Sequence, residues 1–493
     1  MTTALSARFR SVFFILGLAA GLTGFAQSTP SDALEAVIGK WRGRVGTPEN
    51  HTDWAIEIKR DAQGVATGFI HHQEMNFFGL DVGEVKFADG HYILPPFAWP
   101  AKLIDDKLVG RDAGPLKMSV DLARTATLPT EVPIPDLPTG PGPRWQTKMG
   151  GGIYAPAAVR DGVIYVGTTG GTFNAVSLKD GKILWAIPAG RPVHGEALVT
   201  DEHIYFACDN GFLFKLLRAD GKEIWRYDLG DAQSPRVLMH PTIFFWDYKA
   251  PKPVLADGAL YLGAGDGGFH AVNAATGQRI WRFAAQDNIR GDALVAGDKV
   301  IFGSFDNTLY SLRRVDGTEA WNRRVGPVNT PVTLVAGQAV FGTRGTTIAA
   351  VDPDTGKTAW RMFMWGSSAE SAVVPFGDFA YTGSSDLRRI TAVEAATGKV
   401  VWRTDIFGIA WPAPAITEKI VYAAAGGYEP YQVRHVGGLC AIDRGSGKLL
   451  WRWPAPKSAH QYEQGFAASP VIARDTLVIG SMDGTLYAFP LEN

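Results

Sequence analysis

Short runs of alternating hydrophobic and polar residues, separated by polar turns, recur along residues 145–493. The pattern is clear at residues 303–321, GSFDNTLYSLRRVDGTEAW, where the turn Asp316-Gly317 joins two runs and the second run reaches Trp321. A hydrophobic period of two residues is typical of β-strands. Because this region contains only strand and turn signals, the pattern predicts an all-β repeat.

Tryptophan marks the period of this repeat. The eight marker residues are Trp145, Trp185, Trp225, Trp281, Trp321, Trp360, Trp402 and Trp451. Seven of them have a glycine four positions earlier. Consecutive marker residues are 39 to 56 residues apart, and most of the intervals are near 40. A period near 40 is typical of a β-propeller with one four-stranded blade per repeat. The eighth strand set, residues 471–489, stops before its tryptophan strand, and residues 144–148 can supply that strand. We therefore predict an eight-bladed β-propeller over residues 144–493, closed by its N-terminal strand.

The repeat G-x-x-x-G-x-L-Y-x-L/V-x-x-x-x-G-K-x-x-W resembles the quinoprotein (pyrroloquinoline quinone, PQQ) propeller repeat. Good copies are GAGDGGFHAVNAATGQRIW at residues 263–281 and GSMDGTLYAF at residues 480–489. The resemblance covers residues 145–493 and implies a PQQ/BamB-like propeller. Two branches share the repeat: PQQ-dependent alcohol and sugar dehydrogenases, and BamB-type outer-membrane-protein assembly factors. Fold alone does not choose between them.

Residues 31–128 lack the repeat and predict a small antiparallel β domain, either a barrel or a curled sheet. Its predicted strands are residues 40–45, 54–60, 65–73, 84–88, 91–94, 107–110 and 117–122. Residues 129–143 contain six prolines and predict an extended linker. His71, His72 and Glu74 suggest a metal site, but only His72 and Glu74 share a strand face. We therefore expect no metal there and a solvated strand face instead.

The N-terminus has the features of an export signal. Arg8 and Arg10 precede an apolar run at residues 12–20, and residues 24–26 offer a small-x-small cleavage site. The sequence predicts a signal peptide over residues 1–26, no transmembrane segment in the mature chain, and a periplasmic or secreted protein. Since no cysteine lies at the cleavage site, we expect no lipid anchor there.

Composition narrows the classes of partner. The formal net charge is −1 and the two signs are mixed along the chain, so nothing favours nucleic acid. Cys208 and Cys440 are the two cysteines. They fall on blades three steps apart, whereas the Cα atoms of a disulfide lie within about 7 Å of each other. We predict two free, largely buried thiols, and a monomer.

Strand direction assigns the turns to two faces. With strands named A to D from the channel outwards, the B–C turns and the D-to-A crossings lie on one face, called X, and the A–B and C–D turns lie on face Y. The long connecting segments that break the period all fall on face X. They are residues 230–252, 426–437 and 453–466. Irregular loops on a rigid scaffold often bind partners, although they can also be insertions that pack on themselves. Candidate partner-binding residues are Phe244, Phe245, Trp246, Tyr248, Tyr428, Tyr431, His435, His460 and Tyr462.

Equivalent positions just before each strand A define a ring at the face-X mouth of the channel. The predicted ring contains Tyr154, His194, Arg290, Asn329, Glu370, Trp411 and Ala467, with His240-Pro241 or Ala250 in the third blade. Such a ring can hold a planar anionic ligand between Trp411 and Arg290. It can equally be a hydrated lining that binds nothing, which is the interpretation we favour.

Two functional classes follow from the resemblance. The first is a non-catalytic, BamB-like binding propeller that engages a protein or peptide in the cell envelope, in the manner of outer-membrane protein assembly. The second is an oxidoreductase with PQQ and calcium at the channel mouth. The dehydrogenase branch implies adjacent cysteines and a calcium held by Glu and Asn. Here the two cysteines are far apart, and Glu370 and Asn329 do not follow the order of that calcium site. We therefore favour the binding propeller, without a cofactor.

Overall fold

The computed structural model describes residues 30–46, 51–73, 76–95, 98–111, 118–131, 133–232, 247–364, 367–385, 387–427, 435–456 and 464–492. The chain divides into two compact units, Met1–Ile134 and Pro135–Asn493. Apart from one short helix, α1 (Pro30–Glu35), the regular elements described are all β-strands. The all-β prediction is therefore confirmed.

The first unit is a nine-stranded, nearly closed antiparallel sheet with the strand order β4-β3-β2-β1-β9-β8-β7-β6-β5. Trp41 on β1 is fully buried, and Trp54, Ile56 and Ile58 on the neighbouring β2 are buried as well. The strands are β1 (Gly39–Gly46), β2 (His51–Arg60), β3 (Ala66–His72), β4 (Phe77–Glu84), β5 (Lys86–Ala88), β6 (His91–Leu94), β7 (Trp99–Ile104), β8 (Lys107–Arg111) and β9 (Ser119–Arg124).

Two strands of this unit, β4 and β7, were not predicted from the sequence pattern. β4 contains Gly79 and Gly83, and its register against β3 shifts twice, so its alternation is broken. β7 carries Pro100, a residue that argues against a strand when only the sequence is known. The predicted strand at residues 84–88 is corrected: Glu84 ends β4, and β5 begins at Lys86.

The solvated strand face predicted at His72 is also wrong. The His72 side chain is fully buried and lies edge-on to Trp54, with ring centroids 5.0 Å apart. Its Nε2 is 3.3 Å from the hydroxyl of Thr52. The imidazole is therefore part of the core of the first unit. Glu74 lies outside the described residues.

The second unit is an eight-bladed propeller, as predicted, in which each blade is a four-stranded antiparallel sheet. In blades 1 to 4 the strands are β11 (Ala158–Arg160), β12 (Val163–Gly167), β13 (Thr172–Ser177), β14 (Ile183–Pro188); β15 (Leu198–Val199), β16 (His203–Cys208), β17 (Phe212–Leu217), β18 (Glu223–Asp228); β19 (Val254–Ala256), β20 (Ala259–Gly263), β21 (Gly268–Asn273), β22 (Arg279–Ala284); β23 (Leu294–Ala296), β24 (Lys299–Gly303), β25 (Thr308–Arg313) and β26 (Glu319–Arg324).

Blades 5 to 8 follow the same order from the channel outwards. Their strands are β27 (Thr333–Val335), β28 (Gln338–Gly342), β29 (Thr347–Val351), β30 (Thr358–Phe363); β31 (Val374–Phe376), β32 (Phe379–Gly383), β33 (Arg389–Glu394), β34 (Val400–Asp405); β35 (Ala415–Ile416), β36 (Ile420–Gly427), β37 (Gly438–Asp443), β38 (Leu449–Pro454); and β40 (Val471–Ala473), β41 (Thr476–Gly480) and β42 (Thr485–Pro490). The short β39 (Gln464–Gly465) pairs with β36. As predicted, β10 (Trp145–Lys148) is the outer strand of blade 8 and pairs with β42.

Neighbouring blades are joined by a repeated contact between a tryptophan and a glycine. The indole of each outer strand lies against the C–D turn glycine of the following blade, so that a methyl group on the glycine would come within 3.0 Å of the ring. The seven pairs are Trp145–Gly181, Trp185–Gly221, Trp225–Gly277, Trp281–Gly317, Trp321–Gly356, Trp360–Gly398 and Trp402–Gly447. These glycines also have φ between 67° and 73°, a conformation that a side chain disfavours.

The eighth joint is built differently, because blade 8 takes its outer strand from the N-terminal side and has no C–D turn. Gly140 of the linker lies on the ring of Trp451, in the place of the turn glycine. The indole nitrogen of Trp451 donates to the Glu492 carboxylate at 2.6 Å, whereas Trp281 donates to the backbone oxygen of Arg314 in the next blade. The linker and the C-terminal segment together replace the missing turn.

Both thiols are free and buried, as predicted. Cys208 ends β16 in blade 2, and Cys440 lies in β37 of blade 7. Burial raises the pKa of Cys208 to about 11 and that of Cys440 to about 12. Both side chains are therefore protonated and shielded from solvent near neutral pH.

We expect Gly140→Val to destabilise the propeller by about 1–3 kcal/mol, the usual cost of overpacking, because the new side chain meets the Trp451 ring. Gly142→Val is the matched control, since a methyl group at Gly142 has no neighbour within 4 Å. Denaturant unfolding followed by tryptophan fluorescence measures the difference. Equal unfolding midpoints for the two variants would contradict the eighth joint.

Candidate functional site

The structure completes the ring predicted at the face-X mouth. Each ring residue lies four positions before the first residue of an inner strand, and in blade 3 that position is Ala250, ahead of β19. Ala250 pairs with Gly195 through an isolated parallel bridge. Of the two candidates for the third blade, Ala250 therefore takes the place, and His240-Pro241 lie outside the described residues.

Residues 247–252, which we call the strap, lie across this mouth. The ring of Tyr248 stacks on Trp411 with centroids 5.1 Å apart and an angle of 26° between the planes. Tyr248 also packs with Tyr154, Ala467 and Met482 in one apolar cluster. The strap leads into blade 3, whereas Trp411 precedes blade 7. The side chain of Tyr248 therefore reaches the opposite side of the ring.

Ion pairs hold both neighbours of Tyr248. The guanidinium of Arg290 donates to the Asp247 carboxylate at 2.6 Å, and only 4% of the Arg290 side chain is exposed. The ammonium of Lys249 lies 3.7 Å from the Glu370 carboxylate and also donates to the backbone oxygen of Glu370. Since Arg290 belongs to blade 4 and Glu370 to blade 6, the strap is fixed at points far apart on the ring.

Glu370 is the centre of a small polar network. Its carboxylate accepts from Arg344 Nε at 2.9 Å and from the amide of Asn329. Burial acts to raise the pKa of Glu370, but the charges of Arg344 and Lys249 and these hydrogen bonds outweigh it and hold the pKa below its usual value. The Glu370 carboxylate is therefore ionised near neutral pH.

A second charged cluster lies at the far end of the strap. The ammonium of Lys252 donates to the Glu196 carboxylate, and its backbone N–H donates to Asp292 at 2.8 Å. Burial raises the pKa of Glu196, and it raises the pKa of Asp292 to about 6. Both carboxylates are partly buried, and Lys252 of the strap pairs with each of them, through its ammonium with Glu196 and through its backbone N–H with Asp292.

On the blade 2 side of the mouth, His194 Nδ1 lies 2.9 Å from the Asp209 carboxylate, and both side chains are largely buried. The ring of Tyr154 lies beside His194 with centroids 5.8 Å apart. The six predicted polar and aromatic ring residues thus surround one mouth. The contacts described for these side chains are with other residues of the same chain.

Most of the predicted partner-binding residues lie outside the described residues, namely Phe244, Phe245, Trp246, Tyr428, Tyr431, His460 and Tyr462. Tyr248 and His435 are described, and they are only 4% and 1% exposed. The prediction that these two side chains are available to a partner is therefore wrong. Tyr248 fills the mouth, and His435 is enclosed beneath face X. A partner cannot contact either side chain in this conformation.

The sequence missed the groups that neutralise the ring. Arg344 lies in the B–C turn of blade 5 and therefore on face X, so strand direction could have identified it. Asp247 and Lys249 carry no such signal, because they lie in a crossing that does not follow the repeat. Their positions depend on tertiary contacts with blades 4 and 6.

The pKa of Asp292 predicts a pH-dependent stability. A carboxyl group whose pKa is raised by folding stabilises the folded state below its unfolded value of 3.8, and that stability is lost as the pH rises through about 6. We therefore expect Asp292→Asn to gain about 1.4 kcal/mol of stability relative to wild type between pH 5 and pH 8, because about one pH unit of the interval between the two pKa values lies above pH 5.

Urea unfolding at the two pH values measures this gain. Asp298→Asn is the control, because Asp298 is exposed and its hydrogen bond with Lys299 lowers its pKa, so its contribution to stability stays constant between pH 5 and pH 8. A difference between Asp292→Asn and wild type that is the same at both pH values would refute the raised pKa of Asp292.

To bind PQQ and calcium, this mouth would have to offer oxygen ligands to the calcium, and a cation and a flat face to the quinone. The face of Trp411 is stacked by Tyr248, and Arg290 is paired with Asp247. The Glu370 carboxylate is bonded by arginine, lysine and asparagine side chains. In this conformation the residues of the mouth do not fit a bound quinone with calcium.

The fold and the mouth define a closed eight-bladed propeller whose channel is covered on face X by its own chain. A family model described as outer membrane protein assembly factor BamB matches residues 136–245, 216–346 and 344–493. The chain therefore belongs to this family of PQQ-like repeat propellers. Among the residues that the structure describes, no helix is long and apolar enough to cross a membrane.

Relatives come from both branches of the family. BamB from Xanthomonas campestris pv. campestris is 30% identical over 84 residues, 15% of this chain and 21% of that protein. Quinohemoprotein alcohol dehydrogenase ADH IIB from Pseudomonas putida is 25% identical over 237 residues, 41% of this chain and 33% of that protein. The crystal structure of BamB from Moraxella catarrhalis is 14% identical, covers 71% of this chain and 100% of its own, and has a TM-score of 0.55.

The chain spans 19% to 39% of the length of the first curated relatives that it matches. At 14% identity, the likeness to the solved BamB structure establishes the propeller fold alone.

Proposed function

We propose that this protein is an exported, non-catalytic binding propeller that engages a protein or peptide partner of the cell envelope through face X. The observation that carries the proposal is the position of the strap. Tyr248 covers the face of Trp411 on which a ligand at the mouth would stack, and Asp247 pairs with the Arg290 guanidinium that such a ligand would use. Membership of the BamB family supports a binding role. A role in outer-membrane protein assembly is the specific form that this family suggests.

The loops around blade 7 support face X as the binding surface. The end of β36 is extended by pairing of Gly426 with Gly465 and by a bridge to Ile409, so three separate segments meet there. On face Y the turns are short and regular. A face built from irregular segments on a rigid ring is the surface on which binding residues usually lie.

Photo-crosslinking in cells tests which face binds. A photoreactive residue in place of Arg191 or Gln286 samples exposed positions in the crossings of face X, and the same residue in place of Lys179 or Val315 samples exposed turns of face Y. We expect one envelope protein to be captured from both face-X positions and not from face Y. Capture from face Y alone, or no capture from either face-X position, would contradict the proposal.

The alternative function is a PQQ-dependent oxidoreductase with quinone and calcium at the mouth. Its support is that Arg290, Asn329, Glu370 and Trp411 surround one mouth, and that dehydrogenases are among the relatives. We expect no cofactor in the wild-type protein, because these side chains are engaged by other residues of the chain.

Given PQQ and calcium, the purified protein should neither bind the quinone tightly nor reduce an artificial electron acceptor with alcohols or sugars. Equilibrium dialysis and a dye-reduction assay measure the two properties, with a PQQ dehydrogenase as positive control. Micromolar binding that Arg290→Ala or Trp411→Ala abolishes, together with dye reduction, would favour the oxidoreductase.

A further inference from the structure

The outer side of the sheet in the first unit carries most of the positive charge of that unit. Side chains alternate along its strands, so residues that point away from the buried Trp41 and Val45 lie on this outer side. Of the ten lysines and arginines in the described part of the unit, seven lie there, together with three of its twelve acidic residues. We call these seven the basic face, namely Lys40, Arg42, Arg44, Lys59, Lys102, Lys107 and Arg111.

The three acidic residues on this side neutralise three of the seven cations. The pairs are Arg42–Asp53 at 2.5 Å, Lys59–Glu57 at 3.1 Å and Lys107–Asp121 at 3.7 Å. The other four cations, Lys40, Arg44, Lys102 and Arg111, form no ion pair within the part of the chain that the structure describes. Concentrated charge of one sign attracts a partner of the opposite sign. The basic face therefore favours an anionic partner.

Strand pairing sets the cations of β1 and those of β8 in two rows, with β9 between them. Arg42 of β1 and Lys107 of β8 both pair with Ala123 of β9, and Arg111 of β8 pairs with Ser119. Neighbouring strands are about 4.8 Å apart, so the two rows are about 10 Å apart. Because alanine and serine are short, the two rows of long side chains border a trough along β9.

The spacing of the cations along β1 matches that of an extended peptide. Lys40, Arg42 and Arg44 are alternate residues of one strand, so consecutive members are about 6.8 Å apart. Alternate side chains of an extended peptide have the same spacing. A peptide with an acidic residue at every second position can therefore present one carboxylate to each of these cations, and arginine clusters are a known means of recognising acidic motifs.

The surroundings of the basic face favour a narrow partner over a broad one. The turn between β7 and β8 contains Asp105 and Asp106, both exposed, directly after Ile104 and before Lys107. An anionic bilayer wide enough to cover the face would also meet these two carboxylates, which would repel it. An extended peptide in the trough along β9 reaches the cations of β1 and β8 without covering that turn.

We propose that the basic face of the first unit is a docking surface for an extended acidic segment of a partner protein, which lies along β9 between the cations of β1 and β8. This surface belongs to the first unit and is separate from face X of the propeller. The proposal does not depend on the partner of face X, and a failure of crosslinking on that face leaves it standing.

Fluorescence anisotropy of a labelled peptide of alternating glutamate and serine measures binding to the full chain. We expect the wild-type protein to bind this peptide at least about tenfold more tightly than the same peptide with glutamine in place of glutamate, because only carboxylates pair with the cations. The difference should shrink as the salt concentration rises, since exposed charges are screened. Equal binding of the two peptides, or no binding of either, would overturn the proposal.

A pair of substitutions locates the peptide on the protein. We expect Arg44→Ala/Arg111→Ala to weaken binding of the glutamate peptide about tenfold, because each variant position removes one unpaired cation beside β9. Lys86→Ala/Lys182→Ala is the matched control, since it removes the same charge from two exposed lysines outside the basic face, and it should leave binding unchanged. An equal loss in the two double variants would show that net charge alone attracts the peptide, and it would overturn the proposal.

Asp121 tests the trough from the opposite direction. Its carboxylate is exposed on β9, between the two rows of cations, and it would repel an acidic peptide. Asp121→Asn keeps the size of the side chain and removes the charge, so we expect it to tighten binding of the glutamate peptide about threefold. Unchanged or weaker binding would contradict the placement of the peptide along β9.

Sedimentation with phosphatidylglycerol vesicles tests the other anionic partner. We expect little binding, and no difference between wild type and Arg44→Ala/Arg111→Ala. Vesicle binding that this double variant loses, with no binding of the glutamate peptide, would assign the basic face to a membrane surface and overturn the proposal. Circular dichroism and a thermal melt establish that each variant is folded before binding is measured.

Discussion

The contact of an outer-strand tryptophan with the turn glycine of the next blade is the constraint on which this propeller depends. It fixes neighbouring sheets at a close and constant separation, because the indole fills the gap and the glycine has no side chain to open it. Seven blades supply both partners from their own repeat. The ring closes because Gly140 and Glu492, from opposite ends of the propeller chain, complete the contact at Trp451.

A ring closed in this way leaves its function to the segments that do not follow the repeat. The strap crosses the face-X mouth and is held there by stacking on Trp411 and by ion pairs with blades 4 and 6. A buried charge is costly unless it is paired, so the polar ring and the strap stabilise one another. The same side chains cannot at once hold the strap and a quinone. The proposed binding role follows from this competition.

Much of the fold could be predicted from the sequence because its signals are local and repeated. The alternating strands, Asp-Gly turns and tryptophan spacing predicted eight blades and the pairing of β10 with β42. The ring positions followed from the same register. What the ring does could not be predicted, because Asp247, Tyr248 and Lys249 lie in an irregular crossing and their partners come from distant blades. Gly140 was missed for the same reason: its partner, Trp451, is more than 300 residues away in sequence.

The most direct test of this account is an experimental structure of the purified protein crystallised with excess PQQ and calcium. The account predicts electron density for the Tyr248 ring stacked on Trp411 and for the Asp247 carboxylate on Arg290, as in the protein without additives. Density for a quinone lying on Trp411, with the strap displaced from the mouth, would contradict it.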